Sequence, residues 1–279
     1  MSTRIWIFLL FFILFSIIFS ILLRYYNQTD FIQPPNLTLQ KQKNHLYNNG
    51  VCVIHDFISN DDIQMMKKNI GNNEIQKAKL HIIQSAAIQS KIKQLLGDDY
   101  EFHDYIFLIK KSQFHTCHRD YNGDFFNDGQ QYPSYTIILY LENMQKCLDV
   151  IPTSHKSNRE YNYNFTDHTQ TISCKNGDAI LFNANLIHNG SLNENENSMR
   201  IQMKISHKKD RHVLQFYNNY NKMLNTENNT PHIFKQIQKH VSCQFPIISY
   251  YAKQYDHNKE TNSKNTGLFT NLFAKLDNV

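Results

Sequence analysis

No segment narrows the architecture of this chain more than its N-terminus. From Ile5 to Leu23 it reads IWIFLLFFILFSIIFSILL, nineteen residues without a charge, interrupted only by Ser16 and Ser20. As a helix rising about 1.5 Å per residue, such a run matches the roughly 30 Å hydrocarbon thickness of a bilayer. A membrane anchor is therefore expected over residues 5–23, behind a short tail of residues 1–4. A cleaved signal peptide would have an apolar core of about 7–15 residues ending in small side chains. Leu22-Leu23-Arg24-Tyr25-Tyr26 has no such ending. With a mean hydropathy of −0.54 over all 279 residues, everything after Leu23 must be distinctly polar, and it reads as a soluble domain on a stalk. Arg4 precedes the span, whereas Arg24, Lys41 and Lys43 follow it. That bias leans towards a cytoplasmic domain, but long domains translocate regardless of flanking charge, so both sides stay open. Glycosylation sequons occur at Asn27, Asn36, Asn164, Asn189 and Asn228, in a chain so rich in Asn that they arise by chance.

The remainder divides into a linker over 24–44 containing Pro34-Pro35, a folded domain over 45–256, and a mostly disordered tail over 257–279. A chain of this size can bury roughly 70–75% of its unfolded surface, enough for an enzyme core. Its net charge of +5 is spread out, with no arginine-rich stripe or basic tail, which argues against a nucleic-acid partner. Cys52, Cys117, Cys147, Cys174 and Cys243 are odd in number and widely spaced, which excludes a disulfide scaffold and a four-cysteine zinc site. The redox compartment stays undecided. Val51–Ile54 reads as a buried strand. Ser59 followed by Asp62 is a loose capping-box match before Ile63, Met66 and Ile70 on one helical face. A second helix is expected from about Ser85 to Leu96, closed by Gly97. From Tyr105 the texture changes to short strands: Tyr105–Ile109, Tyr135–Leu141, Leu148–Ile151, Thr169–Cys174, Ala179–Phe182 and Met199–Ser206. Such spacing points to an antiparallel sandwich or barrel. After Asp210 the pattern turns helical again.

Among fourteen histidines, one has the form His-x-Asp: His118-Arg119-Asp120. In an extended chain residues i and i+2 point to the same side, so this imidazole and carboxylate reach a common point. A distant third ligand would complete a two-histidine, one-carboxylate facial triad that holds Fe(II) and leaves three positions open. The second half supplies candidates. Asn176–Phe182 reads as a turn and a buried strand, and Asn185-Leu186-Ile187-His188-Asn189-Gly190-Ser191 follows. Twelve residues beyond His188, Arg200 opens the strand-like Ile201–Ile205, where its planar fork could grip a dicarboxylate.

From about Tyr47 to His207 the chain resembles the phytanoyl-CoA dioxygenase-like family of Fe(II)/2-oxoglutarate oxygenases. The resemblance runs through YNNGVCVIHDFISNDDI, QSKIKQLLGDDYEF, FLIKKSQFHTCHRD, CLDVIPTSHK and NGDAILFNANLIHNGS, followed by Arg200. It implies a mainly β (α+β) fold, a double-stranded β-helix of jelly-roll or cupin-like type with flanking helices. It implies His118, Asp120 and His188 as metal ligands and catalytic centre, and Arg200 as partner of the distal carboxylate of 2-oxoglutarate. Lys111 stands where the family often has a second cosubstrate-binding lysine, with Lys110 a near-equal candidate, and Ser191 is a further candidate donor. The implied cofactors are Fe(II), 2-oxoglutarate and dioxygen, and the implied chemistry is hydroxylation of a small-molecule or lipid-like substrate with release of succinate and carbon dioxide. Halogenating relatives replace the carboxylate ligand with a small residue, so Asp120 favours hydroxylation.

The chain also departs from the family pattern. Pro152-Thr153-Ser154-His155 replaces Pro-Gly-Ser-His, Lys146 stands for a Gly before the Cys-Leu step, and Gln202 for a small hydroxyl residue. Rival readings carry less. His115-x-x-His118 with Cys117 between could signal zinc, but no second pair at finger spacing follows. His155 reads as a structural hydrogen bonder. Lys156, Arg159, Tyr161 and Tyr163 fall in a polar loop, by default solvated and otherwise a substrate lid. An inactive β-helix binding module and a protein side-chain hydroxylase are the competing functions. The intact triad weighs against the first. Arg200 weighs against the collagen-type prolyl hydroxylases, which usually use Lys there, without excluding a protein substrate.

Overall fold

The computed structural model describes residues 3–26, 29–32, 35–111, 116–120, 129–157, 169–191, 198–225 and 231–246. The N-terminal run forms one helix, α1 (Thr3–Tyr26). Its described side chains, Ile5 to Phe19 and Leu22, are nearly all exposed. Among the described residues no helix is long and apolar enough to cross a membrane. The transmembrane helix expected over 5–23 is thus observed as a helix but not shown as a span.

A short strand, β1 (Thr29–Ile32), precedes α2 (Leu39–Asn49), which starts inside the stretch expected to be linker and buries Gln42 and Leu46. Gly50 ends α2 at φ 80°, returning its N–H to the Leu46 carbonyl at 3.0 Å. A Cβ at this position would lie 2.5 Å from the His155 ring, so both conformation and space demand glycine. Next come β2 (Val51–Ile54) and α3 (Asn60–Gly71). Ser59 and Asp62 make the expected capping box, and Ile63, Met66 and Ile70 form the buried face of α3. Between α3 and the expected α5 (Ala86–Leu96), capped by Ser85 and stopped at Gly97, lies an additional helix, α4 (Ile75–Gln84). Its buried face is Ala78, Lys79 and Ile82, and the lysine hides the apolar periodicity.

The remaining strands are β3 (Tyr100–Phe102), β4 (Tyr105–Lys111), β5 (Tyr135–Tyr140), β6 (Met144–Val150), β7 (Gln170–Cys174), β8 (Ala179–Asn183), β9 (His188–Gly190), β10 (Arg200–His207) and β11 (Tyr220–Asn225). They build a larger sheet in the order β11-β4-β10-β5-β8-β2, with β3 also on β10, and a smaller sheet β1-β7-β6-β9. Register assigns the faces of the larger sheet. Arg200 lies opposite Ile109 and Tyr140, Gln202 opposite Phe107 and Ile138, and Lys204 opposite Thr136. Residues between them, such as Ile201, Met203, Leu108, Ile137 and Leu139, share a core with Met66, Ile82 and Ile92 of α3–α5. The opposite face meets the smaller sheet: Ile138, Tyr140, Ile180 and Phe182 pack on Cys147, Leu148, Val150 and Ile172. Two sheets face to face with helices over one of them make the jelly-roll architecture anticipated above. Each fully buried aliphatic or aromatic side chain in these clusters contributes about 1.5–3 kcal/mol.

Helix α6 (His232–Gln244) closes the described chain with its polar side inward. Lys239, His240, Ser242, Cys243 and Gln244 are buried, while Ile233, Phe234 and Ile237 are exposed. Cys243 forms a disulfide with Cys117, 126 residues away, and Cys52, Cys147 and Cys174 stay unbridged and buried. Cysteine spacing did not reveal this pair, because only the fold brings the two residues together. The expected tail 257–279 lies outside the described residues, as do His115, Arg159, Tyr161 and Tyr163.

Candidate metal centre

Residues Thr116–Asp120 cross the end of the smaller sheet as an extended segment. The His118 N–H donates to the His188 carbonyl and the His188 N–H to the His118 carbonyl, both at 2.9 Å, and the Asp120 N–H donates to Ala184 O at 2.9 Å. The two halves of the motif, far apart in sequence, are therefore locked together by backbone bonds before any metal is considered. Alternation then sends His118 and Asp120 to one side and Cys117 and Arg119 to the other. Cys117 turns to α6, with its N–H on Ser242 Oγ at 2.7 Å. Arg119 donates to the carbonyls of Ser154, at 2.8 Å, and Asn185, and burial lowers its guanidinium to about 10.

The donor set suits a divalent metal. His118 Nδ1 lies 2.8 Å from Thr116 O, and His188 Nδ1 lies 2.9 Å from Leu186 O. A carbonyl only accepts, so both rings carry their proton on Nδ1 and present the Nε2 lone pair. Those nitrogens lie 3.9 Å and 3.8 Å from Asp120 Oδ1, and the three ligand atoms fall within 4.8 Å of one another. Asp120 is buried, which alone would raise its pKa. The ammonium of Lys204, followed by His188 and His118, outweighs that and holds the carboxyl below its usual range. The carboxylate form needed for ligation is favoured.

On the same inner face, Arg200 is almost fully buried between Ile109 and Tyr140, and its Nη1 donates to Ser198 O at 3.1 Å. The Tyr140 hydroxyl has no hydrogen-bond partner among the described residues. Burial, then the thiols of Cys147 and Cys174, push its pKa well up, so it remains a phenol O–H donor. An orphaned buried donor beside a buried guanidinium is what an anionic ligand of the cavity would satisfy.

Residues 73–201 match the phytanoyl-CoA dioxygenase (PhyH) family, a segment that contains both histidines, Asp120 and Arg200. Over that segment the chain is similar to the phytanoyl-CoA dioxygenase family. No curated protein matches the chain in sequence. Among solved structures, the non-heme alpha ketoglutarate dependent epimerase SnoN from nogalamycin biosynthesis superposes with a TM-score of 0.51 at 10% identity, over 61% of this chain and 80% of SnoN. SnoN in complex with Fe3+, alpha ketoglutarate and nogalamycin RO gives 0.50 at 11% identity, over 61% and 83% of the two chains. EvdMO1 gives 0.50 at 13%, over 60% of this chain and 50% of EvdMO1. At these identities the likeness is one of fold.

Within this PhyH-like domain the other sequence candidates fall as follows. Lys110 takes the alternate face of β4 from Ile109, with Leu108 and the helices, so the strand position left for a second cosubstrate lysine is Lys111; the Lys111 side chain lies outside the described residues. Ser191 is buried, and its hydroxyl donates to Asp149 Oδ1 at 2.7 Å. A carboxylate cosubstrate would have to compete for that single proton. Asp149 also accepts from Thr171 at 2.6 Å and pairs with Lys239 of α6 at 2.5 Å, a buried network with no sequence signature. Burial would raise the Asp149 carboxyl, but Lys239 prevails and lowers it. His155 is structural, its Nε2 on Tyr47 O at 3.0 Å. Thr153 adopts φ 68° where the family usually has Gly, a conformation that strains a β-branched residue. Lys156 lies over the Tyr47 ring, 5.8 Å from its centroid. The residues that sequence reasoning missed are Thr136, Tyr140 and Lys204, which reach the site only through strand register.

Proposed function

We propose that the chain is a membrane-anchored non-haem Fe(II)- and 2-oxoglutarate-dependent dioxygenase that hydroxylates a small-molecule or lipid-like substrate. The observation that carries this reading is the trio His118, Asp120 and His188, with both imidazoles fixed as Nε2 donors around one carboxylate oxygen. When bound, Fe(II) and 2-oxoglutarate would supply, with dioxygen as the oxidant, oxidative decarboxylation of the cosubstrate to succinate and carbon dioxide, one oxygen atom entering succinate and the other a substrate C–H bond. The protein's part is to hold and orient. His118, His188 and Asp120 provide three metal bonds on one face, Arg200 and the Tyr140 O–H receive the distal carboxylate, and Lys111 is the proposed second cation. The intact Asp120 supports hydroxylation over halogenation.

The test is anaerobic titration of the detergent-solubilised full chain with Fe(II) and then 2-oxoglutarate, followed by a substrate-library screen for succinate release. One Fe(II) per chain and a metal-to-cosubstrate charge-transfer band are expected, and His118→Ala or His188→Ala should lose most bound iron while staying folded. Wild-type iron stoichiometry in either variant would break the ligand assignment. Iron and cosubstrate binding without succinate release on any substrate would favour the inactive binding module. Product analysis separates hydroxylation of small molecules from that of protein side chains and from epimerisation.

Anchoring rests on the uncharged residues 5–23. Full-length protein should resist extraction from membranes by alkaline carbonate, and its appearance in the soluble fraction would end the proposal. The Cys117–Cys243 bridge supports placing the domain on an oxidising side of that membrane. Of the sequons, Asn189 is fully buried and cannot be an acceptor in the folded protein, whereas Asn36 is exposed.

A further inference from the structure

Asp120 uses its two oxygens differently. Oδ1 faces the imidazoles. Oδ2 accepts from Lys204 Nζ at 2.5 Å and from Thr136 Oγ1 at 2.5 Å, and Lys204 Nζ also donates to Thr136 Oγ1 at 2.8 Å, closing a triangle. Lys204 and Thr136 face each other across β10 and β5, and both are buried. The ammonium lies 5.3 Å from the Tyr217 ring centroid and 6.0 Å from that of Tyr105, an aromatic wall that limits where it can swing. An oxygen with two in-plane lone pairs is filled by these two donors.

We propose that Lys204, with Thr136, is a positioning residue that restricts Asp120 to single-oxygen ligation and so keeps three metal positions open for the cosubstrate and dioxygen. The proposal rests on the oxygenase reading above. A bidentate Asp120 would have to break both bonds at Oδ2, one of them to a buried cation, and would occupy a position that a chelating 2-oxoacid needs. A merely structural ion pair would stabilise the barrel without affecting how the metal is held.

The variants are Lys204→Met, similar in length and uncharged, and Thr136→Val, which removes one donor at constant shape. Each is loaded anaerobically with Co(II) as a spectroscopic probe in the full chain, then titrated with 2-oxoglutarate. In Lys204→Met the metal should still bind one per chain, but the visible Co(II) bands should change as Oδ2 enters coordination. The 2-oxoglutarate dissociation constant should rise about tenfold or more, the scale of one charge-assisted contact. Thr136→Val should shift both readouts in the same direction by less. If Lys204→Met does not fold, Thr136→Val alone decides. Wild-type bands and wild-type cosubstrate affinity in the folded variants would overturn the positioning role and leave the oxygenase reading intact. Failure of the wild-type protein to bind Co(II) or Fe(II) would overturn both.

Discussion

At the first residue of β10, the Arg200 guanidinium has a neutral carbonyl, Ser198 O, as a partner inside a barrel that also holds the unbonded Tyr140 hydroxyl. A two-pronged contact with a carboxylate contributes about 1.5–3 kcal/mol, so Arg200→Ala should weaken 2-oxoglutarate binding roughly 10- to 150-fold. Arg200→Lys should recover only part of this, because an ammonium cannot reproduce the fork. Tyr140→Phe removes a neutral donor and should cost about 2- to 10-fold. Anaerobic titration of the charge-transfer absorbance measures all three, and an unchanged dissociation constant in Arg200→Ala would remove the clamp. At this scale His118 and Asp120 were legible because His-x-Asp in an extended segment needs only local geometry, whereas His188 came from the family resemblance. Tyr140, Thr136 and Lys204 were not legible, because a buried Tyr, Thr or Lys on a strand has no local mark of its partner.

Helix α6 is fastened to the ligand-bearing segment at two adjacent points, the Cys117–Cys243 bridge and the Cys117 N–H bond to Ser242, and to the smaller sheet through Lys239–Asp149. A bridge closing a loop of 126 residues restricts the unfolded chain by up to about 5 kcal/mol on the chain-entropy account. Reduction, or Cys243→Ser, should therefore lower the melting temperature and speed hydrogen exchange over residues 232–244. Because Cys117 adjoins His118, metal affinity should fall as well. Identical melting and exchange in the reduced and oxidised protein would mean that the bridge holds nothing in place. Capped, one-faced helices such as α3 were readable, since Ser59, Asp62 and the Ile63/Met66/Ile70 stripe are all local. Helices α4 and α6 bury lysines against distant carboxylates, Asp104 for Lys79 and Asp149 for Lys239, so their inward faces look like surface.

For the molecule as a whole, His103 links acidity to stability. It is buried between β3 and β4 with Nε2 2.7 Å from Ser206 Oγ, and burial holds its pKa down at about 4 against an ordinary 6.5. Between those values the unfolded chain takes up a proton that the folded chain refuses, so stability is full above about pH 6.5 and drains away as pH falls towards 4. The difference corresponds to roughly 3 kcal/mol. Urea midpoints measured at pH 7.5, 5.5 and 4.5 should decline, and His103→Gln should flatten that decline. A midpoint that rises on acidification would contradict the burial of a neutral imidazole. The amino-acid order alone determined the strand-rich domain, the capped helices, the apolar N-terminal run and the His118/Asp120 pair, because periodicity, caps and i/i+2 alternation act over a few residues. Tertiary structure alone decided the distal bridge of His118 to His188, the filling of Asp120 Oδ2 by Lys204 and Thr136, the inward polar face of α6 and the pairing of Cys117 with Cys243. Each of these depends on which strands lie side by side and in what register, and that is set by the burial of whole faces rather than by any single segment.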